Sequence, residues 1–216
     1  SSSSYRYYDF AFDDKTVTAK DMAGMKVEGV GTDSNESLYG WDTADVLDGG
    51  KGNDYLSGEK GADILKGGEG NDSLDGGEGA DTLEGNAGND YLSGEKGADI
   101  LKGGEGNDEL RGGEGSDILN GGAGDDRLNG GSNEADTYVF EKGHGRDVVS
   151  DYAYQADHTD TLRFNGAKFA EAVFTRSGNN LVIKAYGAED AVTVEGYFSS
   201  SSYRYYDFAF DDKTVT

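Results

Sequence analysis

An all-β fold is predicted: a right-handed parallel β-roll of nonapeptide repeats, closed by a β-rich C-terminal capping region. Three observations carry this prediction. Asp recurs every ninth residue without a miss, at Asp45, Asp54, Asp63, Asp72, Asp81, Asp90, Asp99, Asp108, Asp117 and Asp126. Leu stands two residues after each of them, from Leu47 to Leu128. Gly opens each nine from Gly40 to Gly121, and from Gly52 to Gly124 a further Gly stands two residues before the Asp. A fixed period of this kind marks a repeat architecture and is sought before secondary structure.

Each element follows from the unit G-G-x-G-x-D-x-L-x. Glycines permit the positive φ of a tight turn and aim its carbonyls at one spot, to which Asp adds a carboxylate. The x-L-x tripeptide is a short strand with one side chain facing inward. One turn and one strand take nine residues, so two of each make an eighteen-residue coil. The stretch "GNDYLSGEKGADILKGGEGND" at 52–72 returns at 88–108, thirty-six residues on, which is two coils. The predicted organisation is an N-terminal flank (1–30), a β-roll (31–136) and a cap (137–216).

Composition narrows the function. Acids number 43 against 19 bases, a formal charge of −24, and Cys is absent. Such a surface repels nucleic acid and anionic membranes. Without Cys there are neither disulfides nor thiolate metal sites, and no apolar run approaches the ~20 residues of a membrane helix. A disordered acidic tract would show the composition without the phase, which leaves ligands for a hard cation.

Units such as "GGKGNDYLS" (49–57) and "GGAGDDRLN" (121–129) resemble the haemolysin-type repeats of RTX (repeats-in-toxin) proteins, over about residues 31–140. The resemblance implies calcium between turns one coil apart on the same edge. The lower turn would give the carbonyls of its second and fourth residues and its Asp, the upper turn those of its first and third residues and its Asp. One ion would lie among Gly50, Gly52, Asp54, Gly67, Glu69 and Asp72, and another among Glu59, Gly61, Asp63, Gly76, Glu78 and Asp81. An all-oxygen cage suits calcium better than magnesium, which gives up its water reluctantly. Carried along the chain, the first turn positions are Gly49, Gly58, Gly67, Gly76, Gly85, Gly94, Gly103, Gly112 and Gly121. The second positions are Gly50, Gly68, Gly77, Gly104, Gly113 and Gly122. The fourth are Gly52, Gly61, Gly70, Gly79, Gly88, Gly97, Gly106, Gly115 and Gly124. Nine well-formed turns (49–126) make seven pairs. The turns "GWDTAD" (40–45) and "GGSNEAD" (130–136) would extend the series to nine, although the second has one extra residue before Asp136. Segment 31–39 carries Glu36 in place of Asp and is expected to be a cap strand.

RTX proteins generally leave Gram-negative cells by type I secretion. The resemblance therefore implies a secreted or cell-surface protein that meets the secretion machinery unfolded and folds outside on calcium. "SSSSYRYYDFAFDDKTVT" occupies both 1–18 and 199–216. The two copies fit one period of a tandem array, or an engineered repeat. Partners would then include neighbouring copies or a host surface, and the alternative function is an adhesin or stalk segment. The C-terminal copy has strand partners upstream; the N-terminal copy is expected frayed, swapped, or packed on the first coil, ahead of a short helix over 18–25 with Thr18 as N-cap.

After Asp136 the step stops, and runs such as "TYVF" (137–140), "RDVV" (146–149) and "NLVIKAY" (180–186) read as strands, resembling the region that follows the repeats in iron-regulated RTX proteins. A cap is the simple reading of 137–216, a ligand-binding face the other. No catalytic motif occurs, so no enzyme is expected here and any catalytic domain lies outside this chain. His144 and His158 are expected in surface loops. "GHGRD" (143–147) is either one more oxygen site, from Gly143, Gly145 and Asp147, or a plain turn. Asp157 and Asp160 beside His158 read as a short acidic turn. Trp41 is expected to shield the end of the Leu stack.

Overall fold

The computed structural model describes residues 27–131, 134–150, 158–199 and 206–216, together with two short strands nearer the N-terminus. It is an all-β parallel roll. Among the described residues, two sheets of ten strands face each other across one core. In the first sheet the parallel run is Glu28–Val30, Val46–Lys51, Ile64–Glu69, Thr82–Ala87, Ile100–Glu105, Ile118–Ala123, Thr137–Phe140, Asp160–Phe164 and Tyr206–Phe210. In the second it is Ser37–Tyr39, Tyr55–Ser57, Ser73–Glu78, Tyr91–Lys96, Glu109–Glu114, Arg127–Gly131, Arg146–Val149 and Ala191–Val194.

Register explains the period. From Leu47 to Leu110 each Leu pairs with the Leu eighteen residues on, as Leu65 with Leu83 and Leu74 with Leu92, while Leu119 pairs with Tyr138 and Leu128 with Val149. All ten, from Leu47 to Leu128, are buried. Burying one such side chain contributes about 1.5–3 kcal/mol. The start of the stack is covered by half-buried Val27 and Leu38. Trp41, expected to shield it, is not part of that cluster. It is half-buried in the turn, and its backbone N–H donates to Asp45 Oδ2 at 2.6 Å.

Both sheets run on beyond Asp136. Thr137–Phe140 pairs with Ile118–Ala123, and Arg146–Val149 with Arg127–Gly131. The core there changes composition. Two residues beyond each inward Leu the repeats carry Gly, whereas the later strands carry Phe140, Phe164 and Phe210. These rings stack with centroids 5.3 and 5.0 Å apart, a packing favourable beyond its buried area. The second sheet ends in the antiparallel hairpin Val173–Ser177 with Asn180–Lys184, turning at Gly178.

The duplicated ends fold alike and are placed differently. Phe10–Phe12 pairs antiparallel with Lys15–Val17 through Phe10↔Val17 and Ala11↔Thr16. In the C-terminal copy the same partners, Phe208↔Val215 and Ala209↔Thr214, form the same hairpin. Only that copy also lies parallel to Asp160–Phe164; the N-terminal pair is a two-stranded sheet of its own. The helix expected at 18–25 lies outside the described residues.

Candidate metal sites

The turns stack into two edges, and the backbone shows why each position is Gly. At the fourth position a methyl group on Gly70 would sit 1.7 Å from the Gly52 carbonyl oxygen in the turn below. At the second position the backbone is left-handed, as at Gly68 (φ 114°). Glu59, Asn86 and Glu95 adopt that conformation as non-glycines, at a cost of roughly 1–2 kcal/mol each.

The same close approaches locate the carbonyls. Gly50 O and Gly52 O point up, lying 2.0 and 1.7 Å from where Cβ atoms on Gly68 and Gly70 would be. Gly67 O points down towards Gly49, and Glu69 O accepts the Gly52 N–H at 2.8 Å. All four oxygens therefore occupy the gap between turns 49–54 and 67–72. On the opposite edge Glu59 O and Gly61 O point up, Gly76 O points down, and Glu78 O accepts the Gly61 N–H.

Carboxylates complete the gaps. Every turn Asp is buried. Its Oδ1 accepts the N–H of the turn Asp one coil earlier: Asp54 donates to Asp72, Asp72 to Asp90 and Asp90 to Asp108, each at 2.8 Å. On the other edge Asp63 donates to Asp81, Asp81 to Asp99 and Asp99 to Asp117. Oδ2 is buried without a partner at Asp54, Asp63, Asp72, Asp81, Asp90, Asp99, Asp108, Asp117 and Asp126. A buried acceptor left unpaired is costly, and a buried charge more so. These oxygens, facing gaps lined by carbonyls, fit a hard cation. Among the described residues no three acidic or imidazole side chains converge, so an ion would be held by two carboxylates and backbone oxygens.

Sequence reasoning missed part of this pattern. Asp160, read as part of an acidic turn, is buried, and its Oδ1 accepts the Asp136 N–H at 2.9 Å. Asp136 itself accepts from Asp117, so the extra residue before it is absorbed. Asp157 lies outside the described residues. The signal was present in the triplet of Asp, any residue and an apolar residue, which recurs at Asp147 and Asp160 off the nine-residue step. An Asn ladder was also missed: Asn71 N–H donates to Asn53 Oδ1, Asn89 to Asn71 and Asn107 to Asn89. It exists on one edge only, because Ala62, Ala80 and Ala98 hold that position on the other. At the start of the stack the carboxylates close within their own turns: Glu36 accepts the Thr32 N–H at 2.8 Å, as Asp45 does that of Trp41.

Burial pushes the carboxyl groups up, to about 6 for Asp63, Asp108 and Asp117 and about 7 for Asp90, Asp99, Asp126 and Asp136. The neighbouring backbone N–H offsets part of this. A carboxyl raised in the folded state, with 3.8 as its ordinary value, keeps its proton where the unfolded chain has lost it. The metal-free roll therefore loses stability as pH rises between about 4 and 7. In chelator, β content followed by circular dichroism should increase as pH falls from about 8 to about 5; a decrease contradicts this account.

Stacked parallel coils with paired carboxylates and converging carbonyls along both edges define a cation-binding β-roll. Residues 30–65, 66–101, 75–110 and 102–133 match the RTX calcium-binding nonapeptide repeat, so the roll is built of RTX-type repeats. It is 45% identical over 83 residues to the iron-regulated protein FrpA of Neisseria meningitidis serogroup C, a match covering 37% of this chain and 7% of that protein. The extracellular lipase LipA of Serratia marcescens is similar at 19% identity and a TM-score of 0.30, over 74% of this chain and 38% of the lipase. The repeat family is structural rather than enzymatic, and RTX proteins are typically secreted. Among the described residues no helix is long and apolar enough to cross a membrane.

Proposed function

We propose that the chain is a calcium-driven folding module of a type I-secreted RTX exoprotein, one unit of a tandem array. The observation that carries it is the run of nine unpartnered Oδ2 atoms from Asp54 to Asp126. Paired one coil apart, they make four gaps on one edge and three on the other, hence seven ions. Asp45 and Asp136 flank this series, and the Oδ2 of Asp45 is already engaged by Trp41. Calcium, when bound, supplies positive charge and takes oxygen ligands from both turns. The chain orients those ligands: the Leu stack sets the spacing of the coils, and the glycines let the carbonyls reach the gap.

The identical register of the two end hairpins supports the array. Ten residues separate Val17 from Glu28, so the roll of a following module would resume after the same ten-residue interval beyond the Val215 hairpin. In this reading residues 137–216 cap one roll and pass the chain to the next. We assign the module no catalytic role. A second reading, an adhesin segment whose cap meets a host or glycan surface, is favoured by exposed Val173, Phe174 and Phe198 at the terminal hairpin.

Isothermal calorimetry with parallel circular dichroism tests the first reading. Seven ions should bind together with the gain of β structure. Binding of one or two ions, or binding without folding, refutes it.

A further inference from the structure

The turn after the repeats completes the edge that carries the Asn ladder, and one side chain sets it apart. Residues 142–147 repeat the backbone of a nonapeptide turn: Gly143 (φ 92°) and Gly145 (φ 89°) are left-handed, as are Gly122 (101°) and Gly124 (146°). Gly124 N–H donates to His144 O at 3.1 Å, as Gly106 N–H does to Ala123 O one coil earlier. Asp126 N–H donates to Asp147 Oδ1 at 3.1 Å, and Arg146 N–H to Asp125 Oδ1 at 3.0 Å. The "GHGRD" segment is thus one more turn in register on this edge, although it arrives after 21 residues instead of eighteen.

In the five turns below it on this edge, ending in Asp54, Asp72, Asp90, Asp108 and Asp126, Asp Oδ2 has no partner. At Asp147, Oδ2 lies 2.7 Å from His144 Nδ1, and since a carboxylate can only accept, the imidazole donates. Contrary to its expected surface position, His144 is buried, at 4% exposure. Phe140 packs against its ring at 5.3 Å and Tyr186 edge-on at 5.8 Å. The far side of the turn is closed by Asp190, which accepts the N–H groups of Gly143 and Gly145.

We propose that His144 takes the place of the next cation in this column: its Nδ1–H satisfies Asp147, the calcium series ends at Asp126, and the last coil closes without metal. This rests on the gaps being calcium sites, but it assigns a role to one residue that the repeat pattern does not contain. A metal-free terminal turn gives the roll an end whose order does not depend on calcium.

The test counts calcium per chain by elemental analysis after dialysis against saturating calcium. Wild type should hold seven ions. His144→Ala, which frees Asp147 Oδ2, should hold eight, and His144→Asn, whose amide can still donate, should hold seven. An unchanged count in a folded His144→Ala chain overturns the proposal. Wild type holding no calcium defeats the underlying reading instead. If His144→Ala does not fold, long-range ¹⁵N spectra of calcium-saturated wild type decide. A protonated, hydrogen-bonded Nδ1 at His144 supports the proposal; an Nδ1 without its proton overturns it.

Discussion

In chelator at neutral or mildly alkaline pH, the roll over residues 40–136 is expected to lose most of its β ellipticity, and millimolar calcium should restore it. Adjacent strands lie about 4.8 Å apart, which spaces successive turn carboxylates along an edge. At an effective dielectric of about 20, two such charges repel by roughly 3 kcal/mol. Seven neighbouring pairs then approach 20 kcal/mol, more than the roughly 5–15 kcal/mol of net stability a domain usually has. Protonation relieves this only where pH falls towards the raised carboxyl values. Seven divalent ions would bring fourteen positive charges into gaps walled by those carboxylates, against a formal −24 for the whole chain. Small-angle scattering should show the same change as compaction on adding calcium. Equal β content with and without calcium would remove the basis of the proposed function.

Gly97→Ala is expected to disrupt the middle of the roll even in saturating calcium. A methyl group there would lie 1.2 Å from the Gly79 carbonyl oxygen, and Gly97 has φ 138°. The obstacle is backbone, so no rotamer change relieves it, and moving the turn would pull the Gly79 and Gly97 carbonyls out of their gaps. A loss of more than about 3 kcal/mol is expected from a clash of this severity. Calcium stoichiometry should fall by at least one. Urea denaturation in calcium measures the first effect and elemental analysis the second. Lys96→Ala is the control: its ion pair with Glu78 is long, 3.7 Å, and exposed, so it should matter little. Similar midpoints for the two variants would show that the tight stacking of turns does not limit stability.

Much of the roll was legible because its local and long-range order coincide. Leu92 faces inward for the same reason as Leu74 and Leu110, and every partner lies eighteen residues away. A period in the chain is thus a period in space. Asp147 and Asp160 join the same ladders at separations of 21 and 24 residues. No fixed step reveals them, because the longer coils are held by the Phe column and the strand pairing.

What the sequence by itself determined is the nine-residue unit, the inward Leu, and oxygen-bearing turns on two edges. These follow from the conformational freedom of Gly and the alternation of a strand, both local properties. Tertiary structure alone decided which turns keep an unpartnered carboxylate, since Trp41 and His144 engage theirs through geometry that spacing does not encode. It also decided the fate of two identical eighteen-residue ends. Both make the same hairpin, because that depends on the segment itself. Only one joins a ten-stranded sheet, because the parallel partner Asp160–Phe164 lies beside that copy and not the other.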